Sequence, residues 1–130
     1  MEYTIEIPLP MVLKKSSKAL YSLNVHNRTH YRAYSTIKNK YKALYLTELK
    51  KHDKVCLQSA KIRYELWIRT KRAIDLDNTI FAKKFLQDVM VENGYLEEDN
   101  CYILTKNIEE FGGVDKDAEH SYLKVTITGE

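Results

Sequence analysis

Hydrophobic and polar residues alternate from Glu2 to Leu9, with Tyr3, Ile5, Ile7 and Leu9 on one side and Glu2, Thr4 and Glu6 on the other. That is the period of a strand with one face buried. Pro8 and Pro10 end this strand or confine it to an edge, because proline offers no N–H to a ladder. Met11 to His30 has no clear period and reads as a long loop rich in Lys, Ser and Asn. Loops of that length usually have a functional reason. From Tyr34 to Lys51 the period changes: Tyr34, Ile37, Tyr41, Leu44, Tyr45 and Leu49 form one stripe at helical spacing, with lysines on the other faces.

Val55 to Thr70 alternates again. Ile62, Tyr64, Leu66 and Ile68 lie on one side, and Arg63, Glu65, Trp67 and Arg69 on the other. Trp67 is read as core. Asn78 to Asn93 reads as a second helix, with Asp77 as N-cap and Gly94 as stop. Phe81, Phe85 and Val89 recur every four residues beside Ala82, Leu86 and Met90. A face that wide suits either a subunit interface over part of its area or complete burial in the chain's own core. Cys101 to Phe111 and Tyr122 to Thr128 read as two more strands, with Gly112 to Glu119 as the turn between them. The order βαβαββ predicts one α/β (α+β) domain over residues 1–130, with a mixed sheet and two helices.

The 130 residues fit one domain, and no apolar run approaches the roughly 20 residues needed to span a bilayer. The N-terminus alternates and carries an acid, unlike a signal peptide. Two cysteines, Cys56 and Cys101, are too few for a disulfide framework or a Cys-rich zinc site. A cytoplasmic chain with free thiols is the expectation. Net charge is +3 but unevenly spread. Met1 to Arg72 holds 16 basic and 5 acidic residues, a net +11, whereas Ala73 to Glu130 holds 5 basic and 13 acidic, a net −8. The cationic half suits polyphosphate, because each neutralised phosphate releases counterions. The acidic half suits a divalent cation, which prefers carboxylate oxygens. Two solvated faces that compensate each other account for the same numbers.

The chemistry concentrates in Asp75-Leu76-Asp77-Asn78 and in Glu97-Glu98-Asp99-Asn100. In an extended segment Asp75 and Asp77 project to the same side. They stand where a strand gives way to a helix, whose N-terminus favours negative charge. If the chain returned Asp99 to them, three carboxylates would repel unless a cation neutralised them, and Mg²⁺ is the ion expected of few carboxylates that leave room for water and phosphate. Lys84 lies seven residues after Asp77, two helical turns on, so its side chain can lean back over the site, and Asp88 is a candidate i,i+4 partner. Lys83 is the weaker candidate. Simple capping by Asp77 and a solvated acidic turn explain the same residues without a metal.

The stretch from Arg72 to Ile103, RAIDLDNTIFAKKFLQDVMVENGYLEEDNCYI, resembles the core of RusA-type Holliday-junction resolvases. Those small endonucleases carry a D-L-D-N motif, a helix with K-x-x-x-D, a glycine, and an acidic pair before a strand. Asp75, Asp77, Lys84, Asp88, Gly94, Glu98 and Asp99 stand in that order. Asn24, His26, Arg28 and His30 resemble the family's N-terminal loop more loosely. The segment between Asn78 and Lys84 is longer here, and Glu98 stands where Asp is common.

The resemblance implies a Mg²⁺ site, with Mn²⁺ as a substitute, held by Asp75, Asp77 and Asp99. Lys84 would stabilise charge at the scissile phosphate. It further implies a homodimer that nicks two opposed strands of a four-way DNA junction in recombination and repair; such resolvases are often encoded by phages or prophages. Lys14, Lys15, Lys18, Asn24, His26, Arg28, Arg32, Lys71 and Arg72 are the candidate DNA contacts, with Tyr21 and Tyr31 placed to stack on exposed bases. A non-catalytic junction-binding protein, or an interaction protein with an acidic half, are the competing expectations.

Overall fold

The computed structural model describes residues 1–9, 31–69, 71 and 80–130, with the backbone alone for 31–33. Four strands and two helices follow in the order β1 (Glu2–Leu9), α1 (Tyr31–Leu49), β2 (Ala60–Ile68), α2 (Ile80–Glu92), β3 (Leu104–Val114) and β4 (Ser121–Gly129). The strands form one mixed sheet, β1-β4-β2-β3. β4 runs antiparallel to both β1 and β2, and β2 runs parallel to β3. Parallel neighbours need a crossover, and α2 supplies it.

Both helices cover one face of this sheet. Tyr3, Ile5, Ile7 and Leu9 of β1, Leu123, Val125 and Ile127 of β4, and Ile62, Tyr64, Leu66 and Ile68 of β2 are buried there with Ile37, Tyr41, Tyr45 and Leu49 of α1. Leu44, expected on the same stripe, is exposed, because it sits at the margin of the arc that faces the sheet. The α2 face closes the core with Ala82, Phe85, Leu86, Val89 and Met90, all buried. These residues of the wide apolar face belong to the chain's own core, the second of the two roles open to it from sequence.

The element boundaries have local causes. α2 ends in a Schellman turn: Gly94 takes φ 78°, the Tyr95 N–H reaches the Met90 carbonyl at 2.8 Å, and the Gly94 N–H reaches Val91 at 3.4 Å. β2 starts at Ala60 rather than Val55, because the lead-in is held elsewhere. Leu57 bridges to Leu96, and the N–H groups of Gln58 and Ser59 both donate to the Glu130 carbonyl. β3 starts three residues later than the alternation suggests, since the Asn100 side chain accepts the N–H groups of Tyr102 (3.0 Å) and Ile103 (3.3 Å) and folds a turn there.

β3 also runs through Gly112 and Gly113, which pattern alone assigns to a turn. The register with β2 shifts there, and a Cβ on Gly112 would lie 2.4 Å from the Trp67 indole. The glycines make room for the ring at a bulge. Trp67 itself is not core. It is half-buried on the opposite, helix-free face of the sheet, stacked on Tyr122 with ring centroids 6.2 Å apart and planes within 8°.

Candidate active site

α2 sets the geometry. Its first residue, Ile80, is where the described chain resumes after the D-L-D-N stretch, and its last turn leads through Gly94 to the acidic segment. Thirteen helical residues at 1.5 Å each span about 20 Å. Asp99 follows the Leu96 bridge and precedes Leu104, which pairs with Ala60 at the start of β2. It therefore stands at the end of the sheet where β2 and β3 begin. Lys71 stands beyond the other end, past Ile68. Lys84 belongs to the second turn of α2, closer to the Ile80 end. Within one chain, then, Lys84 and Asp99 lie towards opposite ends of the helix.

Of the remaining site residues read from sequence, Asp75, Asp77, Arg72, Lys14, Lys15, Lys18, Asn24, His26 and Arg28 fall outside the described residues, as do the side chains of Arg32 and Tyr31. Glu97, Glu98 and Asp99 are all exposed. No group of three or more His, Cys, Asp or Glu among the described residues is arranged to hold a metal ion. Two of the three expected ligands, Asp75 and Asp77, are not among those residues.

The two candidate lysines differ sharply. The Lys83 ammonium is paired with Glu109 of β3, lies 6.0 Å from the Tyr64 ring, and its side chain is 15% exposed. It stitches α2 to the edge of the sheet. Lys84 is exposed and forms no ion pair among the described residues. Asp88, expected one turn on as its partner, faces Lys38 of α1 instead, at 3.8 Å. Lys42 similarly meets Glu92 at 2.6 Å. Cations of the basic half thus compensate acids of the other half across the helix pair.

The tyrosines expected in the core are there. Tyr41 and Tyr45 are buried and Tyr34 is half-buried against Phe81 and Phe85. The Tyr45 hydroxyl donates to the Ala82 carbonyl at 2.8 Å, tying α1 to α2, and burial pushes its pKa well up. Tyr64 accepts a hydrogen bond from Gln87 at 3.3 Å. These rings fill the core, and the Tyr45 and Tyr64 hydroxyls find local partners there. They are not free to stack on a ligand.

The helix-free face was not singled out in the sequence. Register places it in rows across the strands: Glu2, Thr128, Lys61 and Lys106; then Thr4, Thr126, Arg63 and Ile108; then Glu6, Lys124, Glu65 and Glu110; and finally Pro8, Tyr122, Trp67 and Gly113. The signal was present as the polar half of each alternating strand, but strand order decides which polar residues become neighbours. The Tyr122 hydroxyl donates to Asp115 at 2.9 Å. Its pKa is pushed up to about 12, first by desolvation and then by Asp115, Glu6 and Glu65.

No helix of the described chain is long and apolar enough to cross a membrane. No protein-family model matches this chain, and no curated protein matches it by sequence.

Proposed function

We propose that this chain is a Mg²⁺-dependent, structure-specific endodeoxyribonuclease that resolves four-way DNA junctions by paired symmetric nicks, in the manner of RusA-type resolvases. The observation that carries the reading is the succession Asp75, Asp77, Lys84 and Asp99 along a β2-α2-β3 crossover. Exposure of Lys84 and Asp99 supports it, since both are available to a ligand. Asp75, Asp77 and Asp99 would hold the ion, whose chemistry is to activate water and stabilise the leaving oxygen. Lys84 would offset charge growing on the phosphoryl group. Lys71 and Arg72, with the basic residues between Lys14 and Arg32, would grip the phosphate backbone.

The deciding experiment incubates the purified chain with a synthetic four-way junction and Mg²⁺. Symmetric paired nicks are expected. Asp77→Asn should reduce cleavage by at least about a hundredfold while junction binding persists, as loss of a ligand carboxylate spares the phosphate contacts. Equal cleavage by parent and variant would refute the assignment.

The second reading, a junction-binding protein without catalysis, is favoured by the net +11 of residues 1–72. It predicts binding that weakens steeply with salt and no divalent-dependent product.

A further inference from the structure

Charge on the helix-free face is sorted by row. Glu6, Glu65 and Glu110 share the row that holds Lys124, whereas the row nearest the start of β2 sets Lys61 directly beside Lys106 of β3. Arg63 follows one row on. Like charges directly across neighbouring strands destabilise a sheet. Lys38, Lys42 and Lys83 each face a carboxylate. Lys61 and Lys106 do not: both are exposed, and among the described residues neither side chain forms an ion pair or a hydrogen bond.

We infer that this corner of the sheet is a binding site for a phosphate group carried by a compact ligand. A shallow cavity of about 200 Å³ opens here, and its lining includes Lys61, Arg63, Lys106, Thr126 and Thr128. The site stands whether or not the chain cuts DNA.

The lining is rich in donors. Two ammoniums, a guanidinium and two hydroxyls offer N–H and O–H groups, and among the described residues Glu2 is its only carboxylate. Arg63 faces Glu110 through Nε at 3.8 Å, longer than a hydrogen bond, so the guanidinium keeps its donors for a ligand. A carboxylate ligand brings two oxygens, too few for this set. A phosphate dianion brings more, and its charge balances the two unpaired ammoniums. Seated between them, it converts a like-charge pair into a bridged one.

The sorting of charge also limits the size of the ligand. A polymer backbone laid along the strands would run from Lys61 and Arg63 onto Glu65 and Glu110. Laid across them, it would pass from Lys106 and Lys61 to Thr128 and then meet Glu2. The cations therefore suit one phosphate or two adjacent ones, not a continuous nucleic-acid track. They also lie at the opposite end of the sheet from Lys71. A free polyphosphate and the 5′-phosphate of a nucleic-acid strand both carry this chemistry.

Thermal unfolding of the full chain in pyrophosphate, against sodium chloride of equal ionic strength, tests the site. The parent's midpoint should rise with pyrophosphate, as it does for any ligand that binds only the folded chain. The double variant Lys61→Gln with Lys106→Gln should unfold no earlier than the parent without ligand, because the repulsion is gone, and should bind pyrophosphate at least about tenfold more weakly. Lys124→Ala, in the acidic row, should respond as the parent does. A parent indifferent to pyrophosphate, or a double variant that responds in full, overturns the inference. Labelled oligonucleotides with and without a 5′-phosphate separate the two sources. Tighter binding of the phosphorylated strand, lost in the double variant, assigns the site to strand ends. Equal binding of both strands, beside a response to pyrophosphate, assigns it to free polyphosphate. A double variant that loses both strands alike would show a continuous backbone crossing this corner, and would overturn the compact ligand.

Discussion

The two faces of the sheet are made from the same strands and obey opposite rules. On the helix-covered face the rows through Tyr3, Ile5 and Ile7 are aliphatic or aromatic across β1, β4 and β2, and the Tyr45 and Tyr64 hydroxyls meet Ala82 and Gln87. On the other face the rows are threonines and charges of both signs, with one aromatic pair, Trp67 on Tyr122, at the end. The first face gains from removing carbon from water. The second keeps its charges hydrated and gains little from any one contact. Mutational sensitivity should therefore be lopsided, and function that needs a ligand or a second chain has the exposed face and its edges to work with.

The sharpest break in that comparison is Phe85→Ala. Phe85 is fully buried and touches the rings of Tyr34, Tyr41 and Phe81. Its truncation should cost about 3–5 kcal/mol, read as a fall in the urea midpoint with an unchanged slope. A loss under about 1 kcal/mol would mean that the helix layer does not pack as described.

Gly112→Ala tests a tight contact on the other face. The new methyl would meet the Trp67 indole, so a cost of about 1–3 kcal/mol is expected. Trp67 fluorescence should shift as the ring moves off Tyr122. Stability and emission both like the parent's would show that the bulge has room to spare.

Lys124→Ala removes a charge from the middle of the same face, between Glu6 and Glu65. It should change stability by no more than about 0.5 kcal/mol, since surface substitutions away from special features seldom do more. A larger loss would mean that the face carries an organised charge network, and the contrast between the two faces would soften.

Much of the fold was readable before the structure. The alternation of Glu2 to Leu9 gave β1 its limits, the stripe of Ile37, Tyr41, Tyr45 and Leu49 gave α1 its buried face, and Gly94 marked the end of α2 because a left-handed residue there costs glycine least. What pattern misjudged shares one cause. Trp67, Gly112 and Gly113 looked like a core residue and a turn when read along the chain. They are one packing unit when read across strands. Val55 alternates like a strand residue but is exposed, because the segment around it is tethered to Glu130 and to the turn after α2.

For the candidate site, residue types were legible and their meeting was not. Lys83 and Lys84 are adjacent and chemically identical, and only the neighbouring strand, through Glu109, separates a half-buried, paired lysine from one that is exposed and unpaired among the described residues.

Sequence alone determined the order of elements, the buried face of each and the residues with chemistry to offer, because these depend on periods of two and 3.6 residues and on local turn preferences. Tertiary structure decided which strands became neighbours and how far apart α2 holds Lys84 and Asp99. Those outcomes depend on pairings between residues remote in the chain, selected by the joint burial of all the apolar faces, and no local pattern encodes them.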